Sequence, residues 1–286
     1  MTEVGLLFAL GCALLTNVAL LCKHRGALEA PAVAFSQPLR SAAALFRSRW
    51  WTIGFAVALV AWSLHVVALA LAPLSLVQAV IAGGLALLAL PARHLFGIAL
   101  GPRELAGLGL SAFGLAFLAL SAVDPPAHQR FDAETMAAFE GGAIALGAAL
   151  LLSGARGHGH PHGGLMLGGA AGLLIGVSDV ALKALAESVP ADLFTILSPW
   201  TAVAALASVG AFYALARSLQ LGDAVEVIVV SSVAANCAAI TGGVLVFGDP
   251  VGSDALAIAA RTAAFAAVIA AAALIPAPRP AGHEHA

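Results

Sequence analysis

Apolar residues in this chain come in runs of about 17–25, the length that crosses roughly 30 Å of hydrocarbon as an α-helix. No other feature limits the fold as strongly. In lipid only helices and closed barrels satisfy their own backbone groups, and these runs lack the period-two alternation of barrel strands. The chain therefore reads as an all-α polytopic membrane protein. Of its 286 residues 61% are hydrophobic and 10% charged, too little polar surface for a soluble domain of this size.

The runs predict nine spans, at residues 4–22, 52–72, 74–92, 104–122, 137–153, 165–186, 193–216, 223–247 and 255–275. Pro73 and the stretch Gln220–Gly222 make two tight joints. The first run has no basic region before it and no small-residue cleavage site, so it reads as a retained span. With the 23–50 loop in the cytoplasm, the inner side holds Lys23, Arg25, Arg40, Arg47, Arg49, Arg93, Arg103, Arg156, Arg217 and Arg279. The outer side holds Arg130, while Lys183 and Arg261 fall inside spans. Acidic residues collect outside, at Glu3, Asp124, Asp132, Glu134, Asp192, Asp249 and Asp254. By the positive-inside rule the N-terminus is then outside and the C-terminus cytoplasmic. A rival reading makes residues 31–47 a tenth span, but that stretch is short and carries Pro31, Gln37, Pro38 and Arg40. An interfacial helix around Ser41–Arg47 is preferred, with Trp50 and Trp51 anchoring the next span at the headgroups.

The stretches 68–97 and 213–248 share a plan: a span end, a tight joint, then a long span ending in Phe-Gly. After the joints stand Ser75-x-x-Gln78 and Asp223-x-x-Glu226. The third span starts outside and the eighth inside, so the copies are inverted. The chain divides into a first half at 1–122, a connecting span and His-rich loop at 123–164, a second half at 165–275 and a tail at 276–286. Inverted halves mark alternating-access carriers, whose substrate site lies near the midplane between them.

Several motifs carry a family resemblance: Trp51-x-x-Gly54, Ala70-x-Ala72-Pro73-x-Ser75-Leu76-Val77, Gly176-x-Ser178 with Lys183, and Ile240-Thr241-Gly242-Gly243 running to Phe247-Gly248-Asp249. On these the chain resembles the drug/metabolite transporter superfamily, and within it is most similar to NIPA-type magnesium transporters and EamA-like carriers. The resemblance implies a nine-helix carrier in two inverted halves, moving Mg²⁺ or a small organic solute.

Charged groups at membrane depth are costly, so each is a functional candidate. Asp179 and Lys183 lie four apart on one helix face and can pair. They stand about 21 and about 27 Å along the sixth span from its inner end. His65 in the second span and Asn236 in the eighth reach a similar level, and Arg261 enters the ninth from outside, which suggests one outward-facing cavity. Asn17 is a candidate for the cytoplasmic vestibule. Gln78 and Glu226 stand as symmetry-related ligands or as capping-box partners, since their spacing suits both. His158, His160 and His162 form a His-rich loop that either binds a soft divalent metal or simply connects two spans. As metal ligands the candidates are Asp179, Glu226 and these histidines.

Net charge is −2, which indicates no nucleic-acid partner. Cys12, Cys22 and Cys237 form no CxxC pair, so no disulfide framework or thiolate site is indicated. No nucleotide-binding or catalytic constellation occurs; GGLALLALP and GGAAGLLIG read as packing glycines. The expectation is a secondary transporter, not an enzyme and without cofactor, multi-pass in the bacterial cytoplasmic (inner) membrane. Its partners would be the lipid bilayer and a small polar solute or divalent cation, with a homodimer left open. A non-transporting subunit that scaffolds a partner protein is the alternative.

Overall fold

The structure, a computed structural model, describes residues 2–71, 80–81, 84–96, 101–120, 132–156, 162–188, 197–248 and 255–274. Every element among them is helical. In chain order these are α1 (Thr2–Glu29), α2 (Pro38–Arg47), α3 (Arg49–Leu71), a 3-10 segment at Gly84–Leu88, α4 (Ala89–Phe96) and α5 (Pro102–Leu120). There follow α6 (Ala133–Arg156), α7 (Gly163–Ser188), α8 (Pro199–Leu221), α9 (Ala224–Val246) and α10 (Ala255–Leu274). Among the described residues five helices, α1 and α6 to α9, are long and apolar enough to cross a membrane. Leu7, Trp62, Leu206 and Leu256 point outward, which suits lipid and not water. This is the build of a multi-pass membrane protein.

Helix ends follow local chemistry. α1 runs past residue 22 to Glu29, because the first stop in its sequence is Pro31, which biases Ala30 away from helix. α8 begins at Pro199, six residues beyond the expected start of its span, with Ser198 extended before it; a proline at the first helical position lacks only a bond it would not make. α6 is capped by Asp132, whose carboxylate accepts from the Thr135 N–H and hydroxyl, each at 2.9 Å. Those two donors hold this carboxyl below its ordinary range.

The third span departs most from expectation. Its described part is helical at 80–81, then a 3-10 segment running into α4, which continues to Phe96. Pro91 has no N–H to give residue 87 and its ring crowds that carbonyl, so a regular helix cannot run through. Gln78 lies outside the described residues, as does Ser75. Between α1 and α3, α2 is ten residues long, too short to span. It starts at Pro38, three residues before the expected interfacial helix. Ser41 folds back to Ala34, accepting its N–H at 3.1 Å and donating to its carbonyl at 3.2 Å. Trp51 is not a headgroup anchor: it is 1% exposed, wedged against α1 where a Cβ on Gly26 would meet its backbone.

Packing is by close approach of small residues, as expected where lipid supplies no hydrophobic drive between helices. α1 and α3 run antiparallel, with Gly54 against the Ala19 carbonyl and the Lys23 backbone, and Gly11 facing Leu64. α7 and α8 repeat this arrangement, with Gly164 against Gly222 and Gly210 against Leu174. α7 also lies parallel to α9, where Gly172 and Gly176 abut the stretch from Ser231 to Ala239. α5 and α10 pack together, as do α6 and α7. The GGAAGLLIG glycines are thus contact surfaces.

One end of the bundle gathers the C-terminal turns of α1 and α8, the first turns of α3, α7 and α9, and α2. Gln220 ties it, donating to the Ala27 and Pro31 carbonyls at 3.0 Å and accepting from the Val33 N–H at 2.9 Å. Ser218 donates to the Gly164 carbonyl at 2.7 Å and Tyr213 to the Pro38 carbonyl at 3.0 Å. Lys23, Arg25, Arg40, Arg47, Arg49, Arg156 and Arg217 sit at this end, while Glu3, Asp132 and Glu134 sit at the other.

Candidate functional site

A cavity of about 300 Å³ opens where α1 and α3 face α7 and α8. α1 contributes Lys23 and α3 contributes Trp51; α7 adds Ile175, Ser178, Asp179 and Leu182, and α8 adds Ser208, Ala211, Phe212 and Leu215. The walls are mostly apolar, with an ammonium on one helix pair, a carboxylate on the other and two hydroxyls. This is the usual make-up of a small-molecule site, an apolar body with a few convergent polar groups. Phe212 floors it, edge-on to Trp51 with ring centroids 5.6 Å apart and stacked on Phe46 at 6.3 Å. Ser178 and Ser208 share a 2.8 Å hydrogen bond, and Ser178 also donates to the Ala204 carbonyl at 3.3 Å. Asp179 is accessible from the cavity.

Of the residues expected to meet at one depth, Asp179 lines this cavity, while Lys183, His65 and Asn236 do not. Asp179 and Lys183 share a face, and no ion pair joins the two among the described residues. Lys183 sits with its ammonium 4.1 Å from the Phe247 ring centroid, a cation–π contact. His65 is half-buried, and its Nδ1 has no hydrogen-bond partner among the described residues. Asn236 donates to the Ser232 carbonyl of its own helix at 2.8 Å. Asn17, 4% exposed, donates to the Gly84 carbonyl at 2.8 Å. It closes the break in the third span and does not line the cavity. The Arg261 side chain lies outside the described residues.

Glu226 is 5% exposed in the first turn of α9. Asp223 caps that helix through the Val225 N–H at 2.9 Å, one residue short of the capping-box bond to residue 226. In the parallel α7–α9 register Glu226 is level with Gly164, so it stands about 22 Å along the bundle from Asp179. The two carboxylates do not share a ligand set. Among the described residues no group of three His, Cys, Asp or Glu could hold a metal. His162 is exposed, and His158 and His160 lie outside the described residues.

Two residues escaped the sequence reading. Lys23 was assigned to a loop because hydropathy falls after Cys22; the absence of a helix breaker before Pro31 is the signal that keeps it helical. Glu140, inside the fifth span, is 2% exposed, and a lone acid within an apolar run was the signal there. No known protein family, characterised protein or solved structure gives a significant match to the chain, and the cavity's own chemistry carries the functional reading.

Proposed function

We propose that the chain is a secondary transporter that moves a small polar solute by alternating access through the cavity between α1/α3 and α7/α8. The observation that carries this reading is the placement of Lys23 and Asp179 on the two helix pairs that enclose one cavity. An ammonium and a carboxylate on facing walls suit a small zwitterion, each pole of which would gain a charge-assisted bond. Lys23 works against a bare cation, and Mg²⁺ would want more oxygen donors than one carboxylate and two hydroxyls already bonded to each other.

Packing supports two inverted halves. In each, the first two long helices pair antiparallel, as α1 with α3 and α7 with α8. The last helix of each pairs with its counterpart, as α5 with α10. Nine spans with the basic end cytoplasmic and the acidic end outside would follow.

Uptake into proteoliposomes tests the reading with a panel of labelled zwitterions, organic anions, polyols and Mg²⁺. Saturable uptake of a zwitterion, lost in both Asp179→Asn and Lys23→Met while the protein stays monodisperse, is the expected result. Folded protein that moves nothing on the panel would favour a scaffolding subunit. Uptake of Mg²⁺ alone would return the cargo to a divalent cation.

A further inference from the structure

Glu140 is a buried acid that the cavity does not use. Both its carboxyl oxygens are shut off from solvent, without a hydrogen-bond partner among the described residues. α6 packs antiparallel on α7, with Gly147 against Leu174 and Gly154 against Leu167. Continuing that register sets Glu140 level with Ala181, between Asp179 and Lys183 in depth. One turn before it, Met136 packs on Val180, Ala181 and Ala184. One turn after it, Ala143 packs on Leu174 and Val177. The carboxyl is therefore held in an apolar seam.

An ionised carboxylate without water or donors is far costlier to bury than the neutral acid. Among the described residues the elements packed against α6 do not neutralise it. From α7, Asp179 turns into the cavity and Lys183 lies over Phe247. α9 meets α6 at Gly242, which lies against Phe139 and carries no charge; its Cys237 packs on the cluster that holds Leu21, Leu88 and Leu108, and Glu226 lies at the opposite end. On α6 itself Glu134 is exposed. No ion pair reaches Glu140 among the described residues.

We propose that Glu140 is a proton-binding site coupled to opening of the seam between α6 and α7. With the seam closed the carboxyl keeps its proton. When α6 and α7 part, water enters, the acid O–H bond breaks, the proton passes to water and the carboxylate is hydrated. Because α6 joins the two halves, one proton would be exchanged per opening and closing. This rests on the carrier reading for its consequence, but its test needs no transport.

The test uses full-length protein in lipid nanodiscs without cargo. Infrared spectra are recorded against pH, together with the distance between spin labels at the exposed positions Ala138 of α6 and Leu182 of α7. The expected result is a protonated-carboxyl carbonyl band at neutral pH that is absent in Glu140→Gln. Raising the pH should remove the band and lengthen the distance together, and in Glu140→Gln the distance should stay short throughout. Glu140→Met carries the same readouts if the Gln variant does not fold. A band that survives in the variant, a band that titrates without movement, or a distance that still follows pH in the variant would overturn the proposal. A titrating Glu140 in a protein that moves no solute would instead sink the carrier reading and keep the proton site.

Discussion

Replacing Gly172 with Ala tests whether α7 and α9 touch as closely as the structure has them. A Cβ there would meet the Ser231 carbonyl oxygen, with the Ala234 Cβ at 2.7 Å and the Ala235 backbone N at 3.0 Å. Carbon atoms rest at about 3.5–4.0 Å, so the new methyl needs about 1 Å of extra room. The opposing atoms are backbone and a Cβ, which cannot rotate away, and the helices must separate. Overpacking of this kind costs about 1–3 kcal/mol, or about 5- to 140-fold in the unfolding equilibrium. Gly142→Ala on α6 is the control, because nothing lies within 4 Å of its added Cβ. There the gain in helix propensity stabilises by up to about 1 kcal/mol. Gly176→Ala should resemble Gly172→Ala, with the Ala235 carbonyl oxygen at 2.9 Å. The double variant should cost less than the sum, because once the helices are apart the second methyl finds room. Unfolding by sodium dodecyl sulfate in mixed micelles, followed by tryptophan fluorescence, measures all four. Equal stability of Gly172→Ala and Gly142→Ala would refute the close parallel contact and, with it, the packing argument for the second half.

Asn17→Leu leaves the Gly84 carbonyl buried without its donor and should destabilise by about 1–3 kcal/mol, with half-saturation of uptake unchanged. A shifted half-saturation at unchanged stability would make Asn17 a substrate ligand after all. In a cysteine-free background, Glu134→Cys should react with an impermeant maleimide on intact cells, and Ala43→Cys only after permeabilisation; the reverse pattern would invert the orientation. The Asp132 carboxyl is depressed in the folded chain by its bonds to Thr135, so its cap is complete at neutral pH and is lost as pH falls through the folded value. Protection of the first-turn amides of α6, taken relative to their intrinsic exchange rate at each pH, should therefore fall in acid for the native chain, while Asp132→Asn, which keeps an acceptor and has no proton to gain, should show no such step.

Helix type and a multi-pass membrane build were legible because length and apolarity are local properties that lipid enforces residue by residue. Joints were legible only where a proline or an Asp cap announces them. The Asp223 cap was readable in this way, and the late start of α8 at Pro199 could have been. The 3-10 break at Gly84–Leu88 is a different case. Pro91 signals trouble, but where the chain yields depends on Asn17, 67 residues away, which takes up the Gly84 carbonyl.

The candidate site shows the same division between local and long-range information. Asp179 stood out because a charge inside an apolar run is conspicuous on its own. Its expected partner, Lys183, was chosen by i,i+4 spacing, which ranks neighbours on one helix and says nothing about neighbours on others. In the fold the aromatic ring of Phe247, beyond the end of α9, takes the Lys183 ammonium. The cation that shares the Asp179 cavity is Lys23, brought by the α1–α3 pair, and no spacing rule links residues 23 and 179. Glu140 makes the point from the other side. Its spacing pairs it with nothing, and that isolation became informative only when its carboxyl was found without a hydrogen-bond partner among the described residues of the neighbouring helices. For a helical membrane chain the sequence marks which residues are costly in lipid, while the contacts between helices determine which of those costs are offset and which are kept for function.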